Sequence, residues 1–83
     1  MIRILYFARL REALGLAEES LEVRDGLSVA ELMVELAQRG GQWQQEFAGC
    51  RPLRAAVNQT LVANDAHIHA GDEVAFFPPV TGG

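Results

Sequence analysis

Ile2, Ile4 and Tyr6 alternate with Arg3, Leu5 and Phe7 in the opening segment "IRILYF", which predicts a strand apolar on nearly both faces and therefore central in its sheet. In "ARLREALG", Leu10, Ala13 and Leu14 fall at helical spacing and Gly15 stops the run, so a short helix follows. "SLEVR" at 20–24 places Leu21 and Val23 on one side of a second strand, ahead of a turn at Asp25-Gly26. Ser28 and Glu31 form a capping box that opens the main helix. Its apolar stripe is Val29, Leu32, Met33 and Leu36, and Arg39 with Gly40-Gly41 closes it. "QWQQEF" at 42–47 fits one further helical turn, with Trp43 and Phe47 over the edge of the core. Short strands at 53–57 and 60–62 flank Asn58-Gln59, a turn pair in which Asn tolerates a left-handed backbone. Gly71-Asp72 turns the chain into a last strand, "EVAFF", at 73–77.

These elements have one core to share, which makes the chain a single α+β domain over residues 1–77 with an extended tail over 78–83. Periodicity supports the class without choosing a topology. Facing does follow. If Ile2, Ile4, Tyr6, Val74 and Phe76 point toward the helix, then Arg3, Leu5, Phe7, Glu73, Ala75 and Phe77 point away from it. With the first and last strands adjacent, Leu5, Phe7, Ala75 and Phe77 make an outward apolar patch that Leu61 extends. Such patches mark partner binding.

The tail reads "FFPPVTGG". Glycines lose the most backbone entropy on ordering and bury no side chain, so Gly82 and Gly83 do not serve stability. Pro78 and Pro79 end the strand and stiffen an extended exit, and the six residues from Pro78 reach roughly 20 Å. That is long enough to enter another protein. The α-carboxylate of Gly83 is a poor electrophile until ATP converts it to an acyl-adenylate. AMP then becomes a good leaving group for a sulfur nucleophile.

Composition removes other classes. At 83 residues and net charge −4, the chain lacks the basic face a nucleic-acid binder needs. No apolar run suits a membrane span and no signal peptide precedes the first strand, so the expected location is cytoplasmic. All seven basic residues are Arg, and the absence of Lys forbids modifier chains built on its own side chains. Cys50 is a lone bystander thiol. His67 and His69, two apart, could share a face toward a metal, but no third ligand lies close in sequence and they read as loop residues. Glu18, Glu19, Asp65, Asp72 and Glu73 read as solvating groups in turns. No bound cofactor and no catalytic site of its own are expected.

"AVNQTLV" at 56–62 and "GDEVAFFPPVTGG" at 71–83 resemble the small subunits of molybdopterin synthase, the MoaD family of ubiquitin-like sulfur carriers. "IRILYFARLREALG" and the capped helix extend the likeness across the chain. The resemblance implies a β-grasp fold, a mixed sheet clasping one main helix. It also implies an E1-like (MoeB-like) enzyme that spends ATP to adenylate Gly83, and a sulfur-donating protein that leaves a thiocarboxylate, a C-terminal 1-thioglycine. The carrier then docks through residues matching Phe7, Leu61 and Phe77 into a large (MoaE-like) subunit, which the tail from Pro78 and Pro79 through Val80, Thr81 and Gly82 enters. Sulfur passes to cyclic pyranopterin monophosphate, two transfers completing the dithiolene of molybdopterin, in a synthase that is a heterotetramer. A thiamine-type sulfur carrier and a ubiquitin-like protein modifier are the alternatives.

Overall fold

The computed structural model describes residues 1–48 and 53–79. Chain order is β1 (Ile2–Tyr6), α1 (Ala8–Leu14), β2 (Glu18–Leu21), β3 (Leu27–Ser28), α2 (Val29–Ala37), α3 (Gly41–Phe47), β4 (Arg54–Val57), β5 (Thr60–Val62), β6 (His67–Ile68) and β7 (Glu73–Phe77). Five strands form one mixed sheet in the order β2-β1-β7-β4-β5. The first and last strands lie side by side in its middle and run parallel, while every other pairing is antiparallel. This is the β-grasp arrangement.

Inward residues of the sheet and one stripe of α2 make the core. Ile2, Ile4, Tyr6, Ala55, Val74 and Phe76 are buried with Val29, Leu32 and Leu36 in a single cluster, which Leu10, Leu27, Phe47 and Ile68 complete. Met33 packs against that cluster, half-buried. The capping box holds α2 in place: the Ser28 hydroxyl accepts from the Glu31 N–H at 3.1 Å, and the Glu31 carboxylate accepts from the Ser28 N–H at 3.1 Å. Two orphan N–H groups of the first turn are thereby satisfied. Phe47 of α3 meets Phe76 edge-on with ring centroids 5.2 Å apart, so the third helix closes one side of the core.

Three expectations need correction. The second strand begins at Glu18, two residues before the expected start, because Glu19 points inward and is held there by Tyr6 and Arg39. Glu18 and Glu19 are thus strand residues, as is Glu73 at the start of β7, and β2 ends at Leu21 rather than at Arg24. The main helix ends at Ala37 rather than Arg39, and Gly40 takes a positive φ of 78° as the chain turns into α3. His67 is not in a loop. It belongs to β6, which pairs with β3 as a separate two-stranded sheet, with Leu27 opposite Ile68.

Candidate functional site

The outer face of the sheet is fixed by register. Across it, Leu5 lies beside Ala75, Ala75 opposite Ala56, and Ala56 opposite Leu61, so one apolar row spans β1, β7, β4 and β5. Directly paired residues share a face, so all four side chains point away from α2. One step toward the C-terminal end of β7, Phe77 stands opposite Arg54, and Phe7 extends the β1 side. The Phe7 N–H donates to the Phe76 carbonyl at 3.2 Å, which continues the parallel pairing past β1 and sets Phe7 beside Phe77. Leu61 lies two strands from β7, about 10 Å away.

Exposure agrees with the expected facing. Phe7 is 46% exposed and Leu61 61%, whereas Tyr6 and Phe76, which directly precede Phe7 and Phe77 in the chain, are almost wholly buried. Phe77, Ala75, Ala56 and Leu5 are half-buried. Single exposed apolar residues are ordinary, whereas an apolar row running across a sheet face is the kind of surface that marks partner binding.

Pro78 and Pro79 leave β7 directly beyond this face, both half-buried. Val80, Thr81, Gly82, Gly83 and Cys50 lie outside the described residues. The face therefore surrounds the base of the tail. One feature of its rim is absent from any local pattern: Ala8, directly after Phe7, has a positive φ of 53°. A left-handed alanine costs energy that helix entry alone does not require, and such outliers concentrate at functional positions. Here the turn separates outward Phe7 from Leu10, the buried residue of α1.

The opposite side of the core carries the clearest polar network. The Tyr6 hydroxyl donates to Glu19 at 2.7 Å, Arg39 grips the same carboxylate with two bonds of 2.9 and 3.0 Å, and the Arg39 guanidinium lies 4.3 Å over the Trp43 ring. Burial pushes the Tyr6 phenol well above its usual range, and the bond to Glu19 adds to the shift. Burial alone would raise the Glu19 carboxyl as well, but hydrogen bonds from Arg39 and Tyr6 win and hold it below its ordinary value. The network joins β1, β2 and the link between α2 and α3; it is a brace on the inner side of the sheet.

The two histidines do not converge on a common centre. His67 Nδ1 lies 2.8 Å from the Gly26 carbonyl, His69 Nδ1 lies 3.4 Å from Asp25, and no metal-binding cluster occurs among the described residues. Asp25 also accepts from the Ala70 N–H at 3.0 Å, and Asp72 from the His69 N–H at 2.8 Å. These contacts tie two loops together at the end of the sheet where β1 and β7 begin.

The model of the ThiS family matches residues 4–83. The chain belongs to the ThiS family. Within it, a molybdopterin synthase sulfur carrier subunit from Escherichia coli K12 is 45% identical over 84 residues, spanning all of both chains. The likeness expected from 56–62 and 71–83 thus extends through the entire sequence. Among solved structures, SAMP1 from Haloferax volcanii superposes with a TM-score of 0.76 at 24% identity, covering 99% of this chain and 98% of that one. A chain of the protein–protein complex of subunits 1 and 2 of molybdopterin-converting factor from Helicobacter pylori 26695 gives a TM-score of 0.67 at 20% identity, covering 99% of this chain and 97% of that one. At those identities the shared property is the fold. No helix among the described residues is long and apolar enough to cross a membrane.

Proposed function

We propose that this chain is the sulfur-carrying subunit of a molybdopterin synthase. Its working group is the carboxylate of Gly83. An E1-like enzyme joins that carboxylate to the α-phosphate of ATP, releasing pyrophosphate. A sulfur nucleophile delivered by a donor protein then attacks the activated carbonyl and displaces AMP, leaving a thiocarboxylate. The charged carrier docks by its outer sheet face on the large subunit, the tail enters, and sulfur moves to cyclic pyranopterin monophosphate. Residues 78–83 serve as the arm and Phe7, Leu61 and Phe77 as the anchors. The domain itself supplies no acid, base or nucleophile to these steps.

The observation that carries the reading is the full-length relation to a molybdopterin synthase sulfur carrier subunit at 45% identity. The apolar face around the tail base supports it, since a tail that must enter another protein needs an adjoining surface to seat the carrier. Complementation is the test. A strain lacking its small synthase subunit should regain molybdoenzyme activity when given this chain, and should not regain it from a chain lacking Gly83. A thiamine-type carrier would restore thiazole formation instead, and a protein modifier would appear as isopeptide-linked conjugates.

A further inference from the structure

On the same face as the apolar row stands an arginine, Arg54, with no carboxylate partner among the described residues. Four of the described arginines are ion-paired: Arg3 with Glu18, Arg9 with Glu46, Arg24 with Glu31 and Arg39 with Glu19. Arg11 lies in the last turn of α1, off the sheet. Arg54 is exposed on the outer face and makes no ion pair among the described residues. The chain has eleven Asp and Glu residues, yet none of them forms an ion pair with it among the described residues.

Its neighbours explain why. Arg54 of β4 stands opposite Phe77 of β7. The β4–β5 register, with Ala55 opposite Val62, continues to place Ala63 on its other side, and Ala56 follows it on the same face. A cation has been set directly beside the aromatic anchor among uncharged residues. If a partner covers Phe77, it removes water from the Arg54 guanidinium too. An uncompensated buried charge is strongly unfavourable, whereas a guanidinium met by a carboxylate in its two-pronged geometry is stabilised. Covering this face therefore demands an acid from the other side.

We propose that Arg54 is a specificity-determining residue of the docking face, its guanidinium receiving an Asp or Glu carboxylate of the large synthase subunit beside the pocket that holds Phe77. This rests on the docking reading given above. A partner with an apolar surface and no acid at that point would bind poorly, so the same arginine that fixes the register of docking rejects other apolar surfaces.

The test is calorimetric titration of the purified large subunit from the same organism against wild type, Arg54→Gln, Arg54→Glu and Phe77→Ala. Thermal melts confirm that each variant is folded. Arg54→Gln is expected to weaken binding at least about tenfold and Arg54→Glu further still, since truncating one member of a covered charge pair leaves the other unpaired. Reversing one acidic residue of the large subunit to Arg should restore binding to Arg54→Glu and to no other variant. Binding of both Arg54 variants within about twofold of wild type, while Phe77→Ala binds poorly, overturns the inference and leaves the docking reading standing. Failure of the wild type to bind at all overturns both.

Discussion

Phe76 and Phe77 are consecutive on β7 and belong to different environments. Phe76 is wholly buried and stacks with Tyr6 at a centroid distance of 6.5 Å, while Phe77 lies on the outer face opposite Arg54. A strand turns successive side chains to opposite sides, so two identical residues meet two different surroundings. Phe76→Ala should cost about 3–5 kcal/mol of stability, as truncation of a buried aromatic does. Phe77→Ala should melt near wild type and weaken association with the large subunit about tenfold or more. Thermal melts and binding titrations of the pair separate the two; the reverse assignment of effects would mean the facing is inverted.

The brace of Tyr6, Glu19 and Arg39 should be visible at both ends of the pH scale. Glu19, Asp25, Glu31 and Asp72 all titrate below their ordinary values in the fold, through hydrogen bonds to Arg39 and Tyr6, to the Ala70 N–H, to Ser28 and to the His69 N–H respectively. The unfolded chain therefore takes up these protons first. Their stabilisation is complete above their unfolded values and is lost as the pH falls below about 4. Tyr6 has the opposite sign. Its raised pKa means that stability is full below the ordinary tyrosine value and declines as the pH rises above about 10. Tyr6 is the only tyrosine, so an alkaline absorbance titration should show no phenolate until the fold opens. Glu19→Ala should lower stability by about 1–3 kcal/mol, because the buried Tyr6 hydroxyl loses its acceptor.

Asn58 and Gln59 both have positive φ, 50° and 69°, in the two-residue turn between β4 and β5. Hairpin turns of this hand favour Asn followed by Gly, and Gln at the second position is strained. Gln59→Gly should raise stability by about 0.5 kcal/mol, measured as an increase in the denaturation midpoint, with no change in docking. A loss of stability would show that Gln59 is held there by an interaction beyond the backbone.

Much of this was legible in the chain itself. Alternation in 2–7 and 73–77 set the facing of Phe7, Phe76 and Phe77, and the capping box located the start of α2. The elements that were missed share a physical cause. β3 and β6 are two residues long, too short for any period, and exist only because Leu27 and Ile68 meet across forty residues of chain. β2 was shifted because its inward residue is Glu19, a carboxylate whose acceptability in that place depends on Tyr6 and Arg39 in other elements. The place of Arg54 was hidden for the same reason, since its meaning comes from its partner across the sheet.

The chemistry proposed for Gly83 turns on one reaction. An adenylating site must align a carboxylate oxygen with the α-phosphate of ATP, and a misplacement of about 1 Å can cost a hundredfold in rate. One residue spans about 3.3–3.6 Å, so adding a residue after Gly83, or deleting Gly83, should stop the reaction while leaving the domain folded. Intact-protein mass spectrometry after incubation with the E1-like enzyme, ATP and a sulfur donor reads it directly. Wild type should exchange one oxygen for sulfur only when ATP is present, and the longer and shorter variants should stay unchanged. Folded wild-type protein that never gains the sulfur, or an extended variant that gains it equally well, would contradict the assignment.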